Sequence, residues 1–189
     1  MKRLILPAVA CMLAAAPAAA QDADAPGQPS GSTAISLDVG GGYALGLWRQ
    51  LSPRTRAGVE VGAAISRAEG EGREQDLVNF AVRPTVKLFS AADGALRPYT
   101  LVGVYAEGFG QNVESGGAGG EYSTTSTELG ARAGVGLEWM PVRRLAVGGH
   151  VGVRGGYLRT TQENGSDEQE LTGWSASTFT SGIVLTLFF

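Results

Sequence analysis

The chain has one histidine, His150, set in Gly148-Gly149-His150-Val151-Gly152. An imidazole is the base that most often activates a hydroxyl nucleophile, so hydrolytic chemistry in this chain would have to centre there. No serine stands two residues on. His150 is therefore expected to be an interior side chain hydrogen-bonded to a carboxylate such as Glu138, and the chain is expected not to be an enzyme. A second candidate is the acidic segment Glu163 to Glu170, ENGSDEQE, whose oxygens suit hard divalent cations. It lacks the ordered spacing of a calcium loop, so a solvated, flexible loop is expected, with no metal and no cofactor.

The remaining charges become informative once the elements that carry them are read. Ala57 to Ser66 splits cleanly at a period of two, with Ala57, Val59, Val61, Ala63 and Ile65 opposite Gly58, Glu60, Gly62, Ala64 and Ser66. Such a period marks a strand whose two faces meet different environments. The split recurs in Val78 to Leu88, in Leu129 to Trp139 and in Leu145 to Tyr157. Short connections at Ser52 to Thr55, Ala91 to Ala95 and Pro141 to Arg144 carry turn chemistry. Long polar connections, Ala68 to Asp76, Gly110 to Thr125 and Thr160 to Gly173, alternate with them.

Strands are expected near 56–67, 78–89, 98–109, 126–140, 145–158 and 175–189. Ile35 to Leu51 is too long for one more strand of that height, and Gly40-Gly41-Gly42 supplies a turn in its middle. About eight antiparallel strands result. An even number places both termini on the side of the short turns.

On the less apolar face, isolated charges stand among small residues: Asp38, Glu60, Glu107, Glu128 and Glu138 against Arg83, Lys87, Arg132 and Arg154, with His150. Charges with small neighbours suit a crowded, enclosed interior, where near balance permits ion pairs across the lumen and spares the cost of an unpaired buried charge. Eight strands enclose a space that side chains just fill, so a plugged lumen is expected. A narrow pore opened by rearranging those pairs is the alternative, and a soluble periplasmic barrel is a third reading. Trp48, Phe89, Tyr99, Trp139, Tyr157 and Phe189 lie near the expected strand ends, where a membrane barrel places its aromatic girdles.

The opening MKRLILPAVACMLAAAPAAAQD has the anatomy of a cleaved export signal, with cationic Lys2 and Arg3, an apolar run and Ala18-Ala19-Ala20 before Gln21. Residues 1–20 are expected to be removed, 21–32 to form a flexible lead-in and 33–189 to form one barrel domain. A lipidated Cys11 after Ala8-Val9-Ala10 is the competing reading, but the apolar run continues past it. Without the signal no cysteine remains, which removes disulfides and thiolate metal sites from consideration. The net charge of −3 becomes −5 when Lys2 and Arg3 leave. That balance offers no basic patch to nucleic acid.

Together these features resemble the small outer-membrane β-barrels of the OmpA/OmpX-like type found in Gram-negative bacteria. The residues that carry the likeness are the signal ending AAAQ, the alternating segments between unequal loops, Arg97-Pro98-Tyr99 opening a strand, and the closing strand that ends in Phe189. The resemblance implies an antiparallel transmembrane barrel with both termini in the periplasm and acidic long loops outside. The basic turns (Arg54, Arg56, Arg97, Arg143, Arg144) would then lie inside. It implies that Ile183, Leu185, Leu187 and Phe189 form the signal read by the barrel assembly machinery. It also implies contact with outer-membrane lipid and lipopolysaccharide, as a monomer. The His-x-Ser pattern of the outer-membrane lipid A deacylases is absent at His150.

Overall fold

The structure is a computed structural model that describes residues 31–39, 44–70, 73–91, 94–115, 122–164 and 167–189. The expected signal, Cys11, most of the lead-in and the Gly40 to Gly42 turn lie outside the described residues. Nine strand segments follow one another: β1 (Thr33–Val39), β2 (Ala44–Ser52), β3 (Thr55–Gly70), β4 (Arg73–Phe89), β5 (Leu96–Ser115), β6 (Tyr122–Val142), β7 (Leu145–Asn164), β8 (Asp167–Thr180) and β9 (Ile183–Phe188). All pair antiparallel, and the sheet closes because β9 joins β1 to β7 while β7 also pairs with β6. Closure leaves no edge at the short-turn end, as an element surrounded by hydrocarbon requires.

Segments β8 and β9 form one interrupted eighth stave. Thr180 pairs with Val151 and Val184 with Gly148, so four steps on the last strand span three on β7. The extra residue is a bulge at Ser181–Gly182. Ser181 N–H donates to the His150 carbonyl at 2.8 Å, and the His150 N–H donates to Ser181 Oγ at 2.7 Å. The phase shift turns Phe179 inward, where it packs on the cluster of Phe89, Tyr99 and Leu101.

Three hairpins are far taller than the expected strands. β3 and β4 run to Gly70 and from Arg73, β5 and β6 to Ser115 and from Tyr122, and β7 and β8 to Asn164 and from Asp167. The segments expected to be long loops are thus largely strand. Their Ser, Thr and Gln residues pair well on a pleated surface, but water on both faces removes the hydrophobic alternation that would announce them. The opposite holds for β1 and β2, which stop at Val39 and Ala44.

The register fixes the geometry. Following paired positions from Tyr157 through Leu129, Ala106, Val82, Val61, Leu45, Leu37 and Leu185, the ring returns to β7 at Val147, ten residues nearer the short-turn end. Eight staves with that stagger close when the strands lean by about 40°. Each paired position then lies about 3 Å below the one before it. Allowing for this slope, Tyr157, Leu129, Val78, Ile65 and Trp174 share one height, and Leu88, Trp139 and Val147 share another about 25 Å lower.

Between the two heights the outward side chains are apolar and exposed, among them Val61, Val82, Val104, Val135 and Val153. Above the upper height Arg67, Asp76, Thr127 and Arg159 follow on the same faces. A band about 25 Å tall, bounded this way, matches the lipid-facing belt of a membrane barrel.

Candidate functional site

The lumen is built by the alternate residues that face inward, and it divides into a lower part of buried side chains and an upper part of half-exposed ones. At the short-turn end Arg56 of β3 makes a two-pronged pair with Glu138 of β6, at 2.7 and 3.0 Å, and its Nε donates to Gln50 Oε1 at 2.9 Å. The guanidinium is flanked by the rings of Phe89 and Phe188, with centroids 4.9 and 4.6 Å away. Arg97 lies 4.1 Å from the Phe89 centroid and donates to the Pro53 carbonyl at 2.7 Å. The Lys87 ammonium sits 4.5 Å from Trp48 and 4.8 Å from Tyr99. Desolvated cations gain from aromatic faces, so three cations with one carboxylate form a tolerable packing. None of Arg56, Lys87, Arg97 and Glu138 is more than 3 % exposed.

Flat rings on the inner wall account for several of the glycines. A side chain at Gly58 would strike the Trp48 ring, and one at Gly136 would strike Tyr99. These are close-approach positions, where the missing side chain makes room for a neighbour's ring.

One layer up, Arg132 reaches both Glu60 and the Thr85 hydroxyl. His150 is wedged between Tyr99, whose hydroxyl is 3.3 Å from Nδ1, and Phe179, whose ring is edge-on at 5.7 Å. Asp38 lines the same region without an ion pair, facing a cavity of about 60 Å³. Ser181, the hydroxyl nearest to His150 in register, bonds the backbone of His150 rather than the imidazole. Among the described residues no serine hydroxyl bonds the imidazole.

The upper layer is half-hydrated. Glu107 takes Arg83 at 2.9 Å and Arg154 at 2.5 Å, and the three side chains are 20 to 30 % exposed. Glu128 accepts from Ser175 Oγ at 2.5 Å and from the Tyr105 hydroxyl. Above and beside them opens a cavity of about 470 Å³ lined by residues including Gly62, Ala64, Ala81, Phe109 and Leu158. Beyond the apolar band the charges are exposed pairs such as Arg159–Glu170 at 2.7 Å and Arg67 with Glu69 at 3.2 Å. Solvent screens pairs of that kind, so they contribute little.

Several expectations need correction. Glu138 pairs with Arg56 across the lumen and not with His150, which has Tyr99 as its partner. Arg56 and Arg97 belong to the lumen, not to the turns. Trp48, Phe89 and Tyr99 point inward with exposures of 1, 3 and 4 %, whereas Trp139, Tyr157 and Phe189 are exposed on the outside. The signal was available: the polar face that holds Arg83, Thr85 and Lys87 runs on to Phe89, and the face of Glu107 runs back to Tyr99 and Arg97. Of the remaining lumen candidates, Asp38, Lys87, Glu128 and His150 form no ion pair among the described residues. Ile183, Leu185, Leu187 and Phe189 face outward, and Val184, Thr186 and Phe188 face the lumen.

No protein-family model matches the chain, and no curated protein matches it. Among solved structures it is similar to a major outer membrane protein from Thermus thermophilus, with 13% identity and a TM-score of 0.56, over 84% of this chain and 98% of that one. It also matches CarO2 of Acinetobacter baumannii at 13% identity over 86% of this chain and all (100%) of that one, with a TM-score of 0.45. CarO of the same organism gives 12% identity over 85% and 97%, with a TM-score of 0.41. The Thermus likeness establishes the fold and nothing finer: the chain folds as an outer-membrane-type β-barrel.

Proposed function

We propose that this chain is an integral protein of a Gram-negative outer membrane, non-enzymatic, whose plugged lower lumen makes it a rigid anchor for a surface-exposed upper half. The observation that carries the reading is the inversion of the faces. The barrel exposes Val, Leu and Ile in a belt and encloses Arg, Lys and Glu, which is backwards for a soluble barrel and right for one solvated by lipid. The short turns then face the periplasm, and the tall hairpins rise outside with Glu69, Glu74, Asp76, Glu163, Asp167, Glu168 and Glu170. The partners are outer-membrane lipid, lipopolysaccharide and the assembly machinery, with Ile183, Leu185, Leu187 and Phe189 as the address, and the barrel is a monomer.

A narrow channel would have to open both sealed layers, one around Arg56–Glu138 and one around Arg132–Glu60. Fractionation of expressing cells tests the location. The protein is expected in outer membranes as a band that shifts on heating, with a lower yield when Phe189 is deleted. Recovery in the soluble periplasm would overturn the reading.

A further inference from the structure

The closed ring holds only in its lower part. β2 pairs with β3 from Ser52 up to Ala44, which faces Gly62, and β1 pairs with β9 up to Val39, which faces Ile183. Above those points β3 continues from Ala63 to Gly70 paired only with β4, and β8 from Thr180 to Asp167 paired only with β7. Among the described residues neither upper edge has a partner strand. The edges stand apart by the width of the two missing staves, about 14 Å from three strand spacings.

The depth of this gap is what makes it consequential. With the lean deduced from the register, Val39 and Ala44 lie about 13 Å below the height of Tyr157 and Trp174, inside the apolar belt. The gap thus opens at the level of hydrocarbon. The two most exposed large apolar side chains among the described residues flank it at one height, Ile65 on β3 (82 %) and Trp174 on β8 (85 %).

Behind the gap lies the 470 Å³ cavity, whose near wall is Gly62, Ala63 and Ala64 of β3 and whose far wall includes Phe109 and Leu158. Its volume is in the range of about 300–1,000 Å³ typical of small-molecule sites. Backbone groups left without partners at membrane depth are tolerated where they line a water-filled cavity, and the half-hydrated Arg83–Glu107–Arg154 floor supplies one.

We propose that the gap is a lateral port through which an acyl chain of a lipid in the outer leaflet enters the upper lumen, lying along Ala64, Ala81, Phe109 and Leu158. The small residues of β3 leave it room, and the sealed layers beneath stop it from passing further. The inference rests on the membrane reading above, and its test separates the two.

Full-length protein is refolded into phosphatidylethanolamine–phosphatidylglycerol vesicles in which a fraction of the phospholipid carries a mid-chain diazirine, and is then irradiated and mapped by mass spectrometry. Adducts are expected on Val135 and Val153 of the outer belt and also on Ala64, Ala81, Phe109 or Leu158 inside. Two variants, Ala64→Trp and Gly173→Phe, narrow the port. A Cβ at Gly173 meets nothing within 4 Å, so the backbone there has room for a side chain. Each is expected to lower the interior adducts at least fivefold while leaving those at Val135 and Val153 unchanged. Adducts on the belt without any inside would overturn the port alone. Absence of adducts on Val135 and Val153 would overturn the membrane reading itself. Interior adducts unaffected by both variants would show entry from the open end and overturn the lateral route.

Discussion

The short-turn half of this barrel is closed by eight staves, whereas the long-hairpin half is built on the six that continue upward. Below, Arg56 and Glu138 are at most 3 % exposed and Arg56 is flanked by aromatic rings; above, Arg83, Glu107 and Arg154 are 20 to 30 % exposed and border open space. A charge pair contributes according to what would solvate it otherwise. In the lower half no water can replace a lost partner, so each ion there commits its neighbours. In the upper half water shares the task, which leaves room for a ligand and makes the pairs individually dispensable. One end of the molecule is thus tightly packed and the other half-open.

The contrast is broken most sharply by removing one carboxylate from each half. Glu138→Gln strands a buried guanidinium and is expected to cost about 3–5 kcal/mol. Glu107→Gln, with Arg83 and Arg154 still wetted, is expected to cost about 1–2 kcal/mol. Urea unfolding of the vesicle-inserted protein reads both, and equal costs would erase the distinction between the halves. A smaller effect sharpens it through packing. Gly136→Val drives a methyl group into the Tyr99 ring and is expected to cost about 1–3 kcal/mol. Gly173→Val, in open space, is expected to stay within about 0.5 kcal/mol of the parent.

Much of the fold was legible because lipid and lumen differ so strongly in polarity that every residue in the belt declares its side. Glu60, Arg83 and Arg132 could be assigned inward from neighbours two positions away. The reading failed where that contrast fades or where phase slips. Above the belt both faces of the hairpins are wet, so Tyr122 to Thr127 carries no alternation and resembles a loop. At the bulge the extra residue at Ser181–Gly182 reverses the parity of all that precedes it, and nothing in Ser175 to Ile183 announces the slip.

Near the short turns, Arg56 and Arg97 look like turn residues and Phe89 and Tyr99 like girdle residues, because composition there is ambiguous. Only strict parity, carried to the last residue of each strand, separates them. The short first hairpin was visible as a Gly-rich interruption, but its consequence was not. The gap in the wall emerges only from the register of β2 against β3 and of β1 against β9.

Conductance across a planar bilayer decides whether the lower lumen is sealed as proposed. With the wild-type protein inserted, no stable unitary conductance is expected at ordinary potentials. The Glu138→Gln variant, by loosening the Arg56 layer, is expected to produce at most brief, irregular openings. Stable unitary currents through the wild-type barrel would contradict the account.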